Sequence, residues 1–218
     1  MTRPVYLAET ALLCARGDSP TAVAEALWNG ECSAGQRTLG ERTFPFFGLP
    51  LAETDWMRRA EQAIRQVAGQ LGPLPAETPL FIASSSFQIG HFEQCGKPFD
   101  LPVASASFSR RIAGWLGLAG PRASFSNACI SGFSALDAAR SLIGAGLMDD
   151  ALVLGVELAN DSTLAGFAAM ELLTPNLGRP FDARRDGMVL GEAVAAVRVS
   201  AAPASWRIAG LRTGLDGH

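Results

Sequence analysis

The chain has 218 residues, 48% of them hydrophobic and 18% charged, with 18 basic against 21 acidic side chains and a formal net charge of -3. This excludes a disordered segment, because apolar content of this order collapses in water, and a nucleic-acid module of the usual electrostatic kind, because no net positive field draws phosphates. The size fits one α/β domain or a piece of a larger one.

Residues 5–13 form a short, mostly apolar run that predicts a strand. In the turn that follows, Ser19 caps a helix with Pro20 at its first position, and Gly30 should stop it. Trp56, Ala60, Ile64, Val67 and Leu71 recur at the spacing of one helix face, with Arg58, Arg59, Glu61 and Arg65 between them and Gly72 and Pro73 at the end. Residues 80–83 predict a short buried strand running into Ser84, Ser85 and Ser86. Phe108, Ile112, Trp115 and Leu116 mark another amphipathic helix, closed by Gly120 and Pro121. Strand-like residues 123–126, helix-like 131–143 and the continuous apolar run 151–156 come next, the last typical of a strand covered on both faces. After a loop rich in Gly, Pro and Arg, residues 193–199 and 206–211 predict two further strands. Strands alternating with helices argue for a largely parallel sheet sandwiched by helices.

Between Ser131 and Gly146 only Asp137 and Arg140 are charged, so the helix there is small and apolar nearly all round. It is expected to lie between two layers, touched on both sides; the alternative is an Ala-rich surface helix. The cysteines Cys14, Cys32, Cys95 and Cys129 form no Cys-x-x-Cys pair and have no histidine cluster nearby, so neither a metal site nor a disulfide framework is expected, and no cofactor is implied. The start of the chain lacks the apolar core of a signal peptide, and no window reaches transmembrane length, which predicts a cytoplasmic protein with reduced thiols. The only histidines are His91 and the terminal His218. A mechanism that needs two imidazoles therefore cannot run on this chain alone.

Cys129 lies in Ser126-Asn127-Ala128-Cys129-Ile130-Ser131-Gly132, where a strand meets the unusual helix. A thiol there faces unpaired backbone N–H groups and the positive end of the helix dipole, which favour an anionic sulfur. The Cys129 N–H itself is positioned to hold a developing oxyanion, and Ala128, Ser131 and Gly132 leave room for a thioester. Cys14, Cys32 and Cys95 are expected to be small buried hydrophobes instead.

Residues 166–175 read Gly-Phe-Ala-Ala-Met-Glu-Leu-Leu-Thr-Pro, and 178–192 read Gly-Arg-Pro-Phe-Asp-Ala-Arg-Arg-Asp-Gly-Met-Val-Leu-Gly-Glu. With the Cys129 motif before them, these resemble the elongating β-ketoacyl-acyl-carrier-protein synthases of the thiolase-fold superfamily in order and spacing. Plain thiolases and initiating synthases lack the 179–192 stretch. Residues 150–157 resemble the strand that follows the nucleophile helix in that family. Glu9 and Ala11 stand where glycines are usual, Cys32 where serine is preferred and Asn127 where threonine is usual, as in a divergent branch.

The resemblance implies an α/β thiolase-like fold with a mixed, mostly parallel five-stranded sheet covered by helices, one half of a duplicated αβαβα architecture. It implies that residues 1–218 are a single N-terminal-type domain. Cys129 would be the catalytic nucleophile, taking an acyl group from an acyl-carrier thioester for decarboxylative Claisen condensation, and Phe167 would line the acyl pocket. The histidines and lysine that support condensation in the family lie in its second half. His91, expected in a surface loop, the terminal His218 and Lys97, the one lysine here, match none of those roles. The implied partners are an acyl carrier protein and a second ketosynthase-type subunit, in a homodimer or heterodimer. The alternative is a non-condensing partner subunit that binds acyl chains or sets their length. Arg179, Asp182, Arg184, Arg185 and Asp186 are expected to tie their loop to the sheet or the dimer through ion pairs, with Gly191 and Glu192 fixing a tight start to the next strand.

Overall fold

A computed structural model describes residues 3–30 and 33–214; Cys32 and His218 lie outside the described residues. The strands are β1 (Tyr6–Cys14), β2 (Gly35–Leu39), β3 (Arg42–Phe47), β4 (Leu80–Ala83), β5 (Arg122–Phe125), β6 (Asp150–Glu157), β7 (Leu190–Gly191), β8 (Ala193–Ser200) and β9 (Trp206–Arg207). The helices are α1 (Pro20–Trp28), α2 (Trp56–Ala68), α3 (Ile89–Gln94), α4 (Leu101–Leu116), α5 (Ser131–Gly144) and α6 (Asp161–Ala169).

A six-stranded sheet in the order β5-β4-β6-β8-β1-β9 forms the middle layer. The expected five-stranded mixed sheet is present, extended by the two-residue β9. Within this sheet parallel pairing is confined to β5-β4-β6, while β8 joins β6 and β1 antiparallel, so the parallel share is smaller than expected. From β6 the chain passes through α6 and then through β7 of the small sheet before it enters β8 antiparallel to β6. A separate three-stranded sheet, β2-β3-β7, stands beside it.

Alternation of side chains along the strands builds a core on each face of the large sheet. On one face Ile82, Leu152, Leu154, Val194 and Leu13 pack against α2 and α4 through Ile64, Val67, Phe108 and Ile112. On the other, Phe81, Ala151, Val153 and Val199 meet Ala135, Ala139 and Ile143 of α5. The buried residues of α5 recur every four positions from Ser131, so one stripe seats it on the sheet. Among the described residues only that side is covered; Phe133, on the outer side, is 59% exposed. The two-sided contact expected for this helix is thus half present.

Local signals work as read, with shifted ends. The Ser19 hydroxyl accepts the Ala22 N–H, and Gly30 sits at positive φ just past α1. Helix α2 stops at Gly69 and α4 at the left-handed Gly117, each three residues before the expected turn. The β2-β3 hairpin was not anticipated.

Candidate active site

Three parallel strands end side by side, and the site is built on their C-terminal ends, the usual place for a ligand crevice in an open α/β sheet. β5 runs into the turn that carries Cys129. Ala128 adopts φ +46°, a left-handed conformation that costs a non-glycine residue about 1–3 kcal/mol, and the following helix compensates. The Ser131 hydroxyl accepts the Asn127 N–H at 2.8 Å and donates to the Ala128 carbonyl at 2.7 Å. Backbone bonds from Ile130 to Asn127 and from Ser131 to Ala128 close the turn, and the Cys129 N–H donates none of them. The thiol is exposed two residues before α5.

β4 ends in the serine triplet, followed by Phe87 at φ +46° with its ring fully buried. The turn is clamped from β6. Glu157 accepts the Ser85 N–H at 2.9 Å, the Ser85 hydroxyl at 3.0 Å and the Ser84 hydroxyl at 3.4 Å, and it also accepts from Ser86. Ser84 in turn accepts the Phe87 N–H at 2.6 Å.

Above these ends lies a cavity of about 410 Å³ lined by Cys129, Ser84, Ser85 and Glu157 on one side and by Phe46, Leu158, Leu164, Phe167 and Leu190 on the other. Its floor is a run of small residues: Ala83, Gly155 and Ala195 are register neighbours across β4, β6 and β8, and Ala193 lies beyond. This is mostly apolar, with one polar edge, and suits a chain-like ligand joined at a sulfur. Cys129 and Phe167 therefore share one cavity, Phe167 reaching it half-buried from α6. Phe46 and Leu190 belong to the small sheet, which sequence reasoning missed. The two-residue Gly40-Glu41 turn, with the aromatic run Phe44 to Phe47 after it, was the available hairpin signal.

Behind the cavity, Glu192 is buried between β7 and β8. Arg59 donates to both its carboxylate oxygens, at 2.6 and 3.2 Å, and the Leu49 and Ala159 N–H groups add bonds at 2.7 and 3.0 Å. Burial alone would raise the Glu192 carboxyl, but the Arg59 hydrogen bonds, the two N–H groups and the Arg59 charge outweigh it and hold it below the usual carboxylate range. A Cβ on Gly191 would sit 2.7 Å from the Phe47 Cβ, so this junction tolerates only glycine.

Several expectations change. His91 lies within α3, half-buried beside Cys95 at 3.8 Å, and does not line the Cys129 cavity. Burial and the Arg111 charge, opposed by Asp55, hold its imidazole below the usual histidine range. Cys14 is half-buried and Cys95 exposed rather than buried, because the former is the last residue of β1 and the latter caps the end of the six-residue α3. The charged loop binds mainly itself: Arg184 reaches Asp182 at 3.5 Å and Arg185 its carbonyl at 3.2 Å. Hydrogen bonds from Thr174 and Asn176 hold Asp186 below its ordinary value. Among the described residues no group of three metal-ligating side chains occurs, and no helix is long and apolar enough to cross a membrane.

Comparison with known proteins agrees with this architecture. A ketosynthase in complex with its chain length factor from Xenorhabdus doucetiae (ApeO with ApeC) superposes with a TM-score of 0.76 at 22% identity, over 93% of this chain and 59% of that one. The ishigamide ketosynthase/chain length factor gives 0.68 at 21% identity, over 92% and 59%. Among curated proteins, the highly reducing polyketide synthase alnA of Emericella nidulans is 36% identical over 112 residues, 48% of this chain and 5% of that protein. The polyketide synthase ThaG of Burkholderia thailandensis is 34% identical over 124 residues, 55% of this chain and 2% of ThaG, so the chain spans a small fraction of these relatives. Residues 84–203, which carry the serine turn, Cys129, Phe167 and Glu192, match the β-ketoacyl synthase N-terminal domain, and the chain belongs to that family, with the fold of one half of a thiolase-like enzyme.

Proposed function

We propose that Cys129 is an acyl acceptor in polyketide-type chain building. The observation that carries this is the placement of the Cys129 thiol on a strained turn at the start of α5, opening into an apolar cavity that also holds Phe167. The thiolate attacks the carbonyl of an acyl-carrier thioester, a new S–C bond forms on Cys129, and the carrier thiolate leaves and takes up a proton. The Cys129 N–H, outside the turn's own hydrogen bonds, is the donor for the oxyanion of the tetrahedral intermediate. The curated relatives are polyketide synthases, which favours polyketide over fatty-acid chemistry. Condensation with a malonyl-carrier substrate needs imidazoles that these residues do not bring to the cavity; they would come from a longer chain or a ketosynthase-type partner.

A second reading, a non-condensing partner subunit that binds acyl chains or sets their length, is favoured by the position of His91 outside the cavity. Intact mass after incubation with an acyl-carrier thioester separates the two. The acceptor reading expects wild type to gain the acyl mass and Cys129→Ala not to. No gain in wild type would refute it and leave the second. Under both, the chain alone yields no detectable 3-ketoacyl product from malonyl-carrier.

A further inference from the structure

Resting on the acyl-acceptor reading above, we infer that Phe46 is a specificity-determining residue: its ring is the partition that limits how long an acyl chain the Cys129 cavity accepts. A second cavity of about 480 Å³ lies against the first, and Phe46 and Ala159 are the two residues that line both. Ala159 contributes a single side-chain carbon, and its backbone is fixed, the N–H on Glu192 at 3.0 Å and the carbonyl on the Trp56 indole N–H at 3.0 Å. The bulk of the wall is therefore the Phe46 ring.

That ring is held from several directions. Phe46 is 9% exposed and sits on β3 between Gly35 and Leu190, its register partners. The Arg37 guanidinium lies 5.6 Å from the ring centroid and is itself paired with Asp161 at 2.7 Å. A partition fixed in this way blocks a growing chain rather than yielding to it.

The charged side chains that line the second cavity are engaged by groups of this chain, Glu53 accepting the Thr54 and Asp55 N–H groups. Arg59 is spent on Glu192 and on the carbonyls of Leu49, Leu51 and Glu53, and Glu93 accepts the Asp161 and Ser162 N–H groups at the start of α6. Beyond the ring Leu51 and Trp56 offer an apolar strip within a lining that is otherwise mostly polar. Removing the ring would join this surface to the pocket in which the acyl chain starts.

The test follows acylation of Cys129 by intact mass, on the full chain, with a homologous series of straight-chain acyl-pantetheine thioesters from acetyl to hexadecanoyl. Wild type, Phe46→Ala and Phe46→Leu are compared, each against its Cys129→Ala counterpart. Wild type should show a cut-off length. In Phe46→Ala the rate for the first chain past that cut-off, relative to acetyl, should rise at least about tenfold, in line with what a few methylenes are worth in an apolar pocket. Phe46→Leu, which stays close to the native volume, should move the ratio the same way by less, and it decides the question if Phe46→Ala does not fold. An unchanged ratio in folded, acylated variants overturns the partition. Absence of acylation in wild type at every length refutes the acceptor reading itself, and the partition falls with it.

Discussion

Replacing Arg59 by alanine should unfold the chain far more easily, although Arg59 touches neither Cys129 nor the floor of its cavity. The Glu192 side chain is 3% exposed and that of Arg59 15%. The guanidinium makes five N–H donations, two to Glu192 and three to the carbonyls of Leu49, Leu51 and Glu53. Truncation leaves a buried carboxylate with only the Leu49 and Ala159 N–H groups, a loss of about 3–5 kcal/mol. For a chain of this size that is a fall in melting temperature of roughly 6–20 °C. The pH dependence follows from the depressed Glu192 carboxyl. Its contribution is fully present above the unfolded value of about 4.3 and is lost as pH falls through the lower folded value. Thermal melts followed by circular dichroism should therefore show the widest gap between wild type and Arg59→Ala near neutral pH, narrowing below about pH 4 as both proteins carry a protonated Glu192. A deficit under about 1 kcal/mol, or a gap that stays constant into acid, would refute the pairing argument.

Other consequences are as direct. Ser131→Ala removes the hydroxyl that bridges Asn127 and Ala128; it should cost about 1–2 kcal/mol in urea unfolding and slow acylation of Cys129, since the strained turn loses its brace. Ile143 is fully buried between α5 and the sheet, so Ile143→Ala should lower stability by about 2–5 kcal/mol in the same assay. At Gly90 a Cβ would lie 2.3 Å from the Trp56 indole nitrogen and 2.6 Å from the Ala159 carbonyl; Gly90→Ala should cost about 1–3 kcal/mol and change Trp56 fluorescence.

The parts of this fold that were readable from sequence are those whose cause is local. The four-residue rhythm from Trp56 to Val67 located α2, Ser19 and Pro20 located the start of α1, and the uninterrupted run before Val156 marked a central strand. Helix ends drifted, because Gly69 and Gly117 terminate earlier than the more conspicuous Gly-Pro pairs. At the site, the Cys129 and Phe167 motifs pointed to residues that do share a cavity. Phe46 and Glu157 did not stand out, because each acts on a partner far away in the chain: Leu190 for Phe46, and the serine triplet for Glu157. Long-range juxtaposition leaves no periodic trace, so the polar edge and the partition of the pocket became visible only in three dimensions.

The single residue separating β7 from β8 joins the wall of the pocket to its floor. Leu190 stands in the small sheet with Phe46, Ala193 and Ala195 stand in the large one, and Glu192 anchors the link between them. With one residue and its buried ion pair as the link, the wall and the floor of the pocket are positioned together, and side-chain volume on either sheet sets what the pocket can hold. Any redesign of what it holds must then exchange one side chain for another, because lengthening the backbone at this junction would dismantle both sheets together.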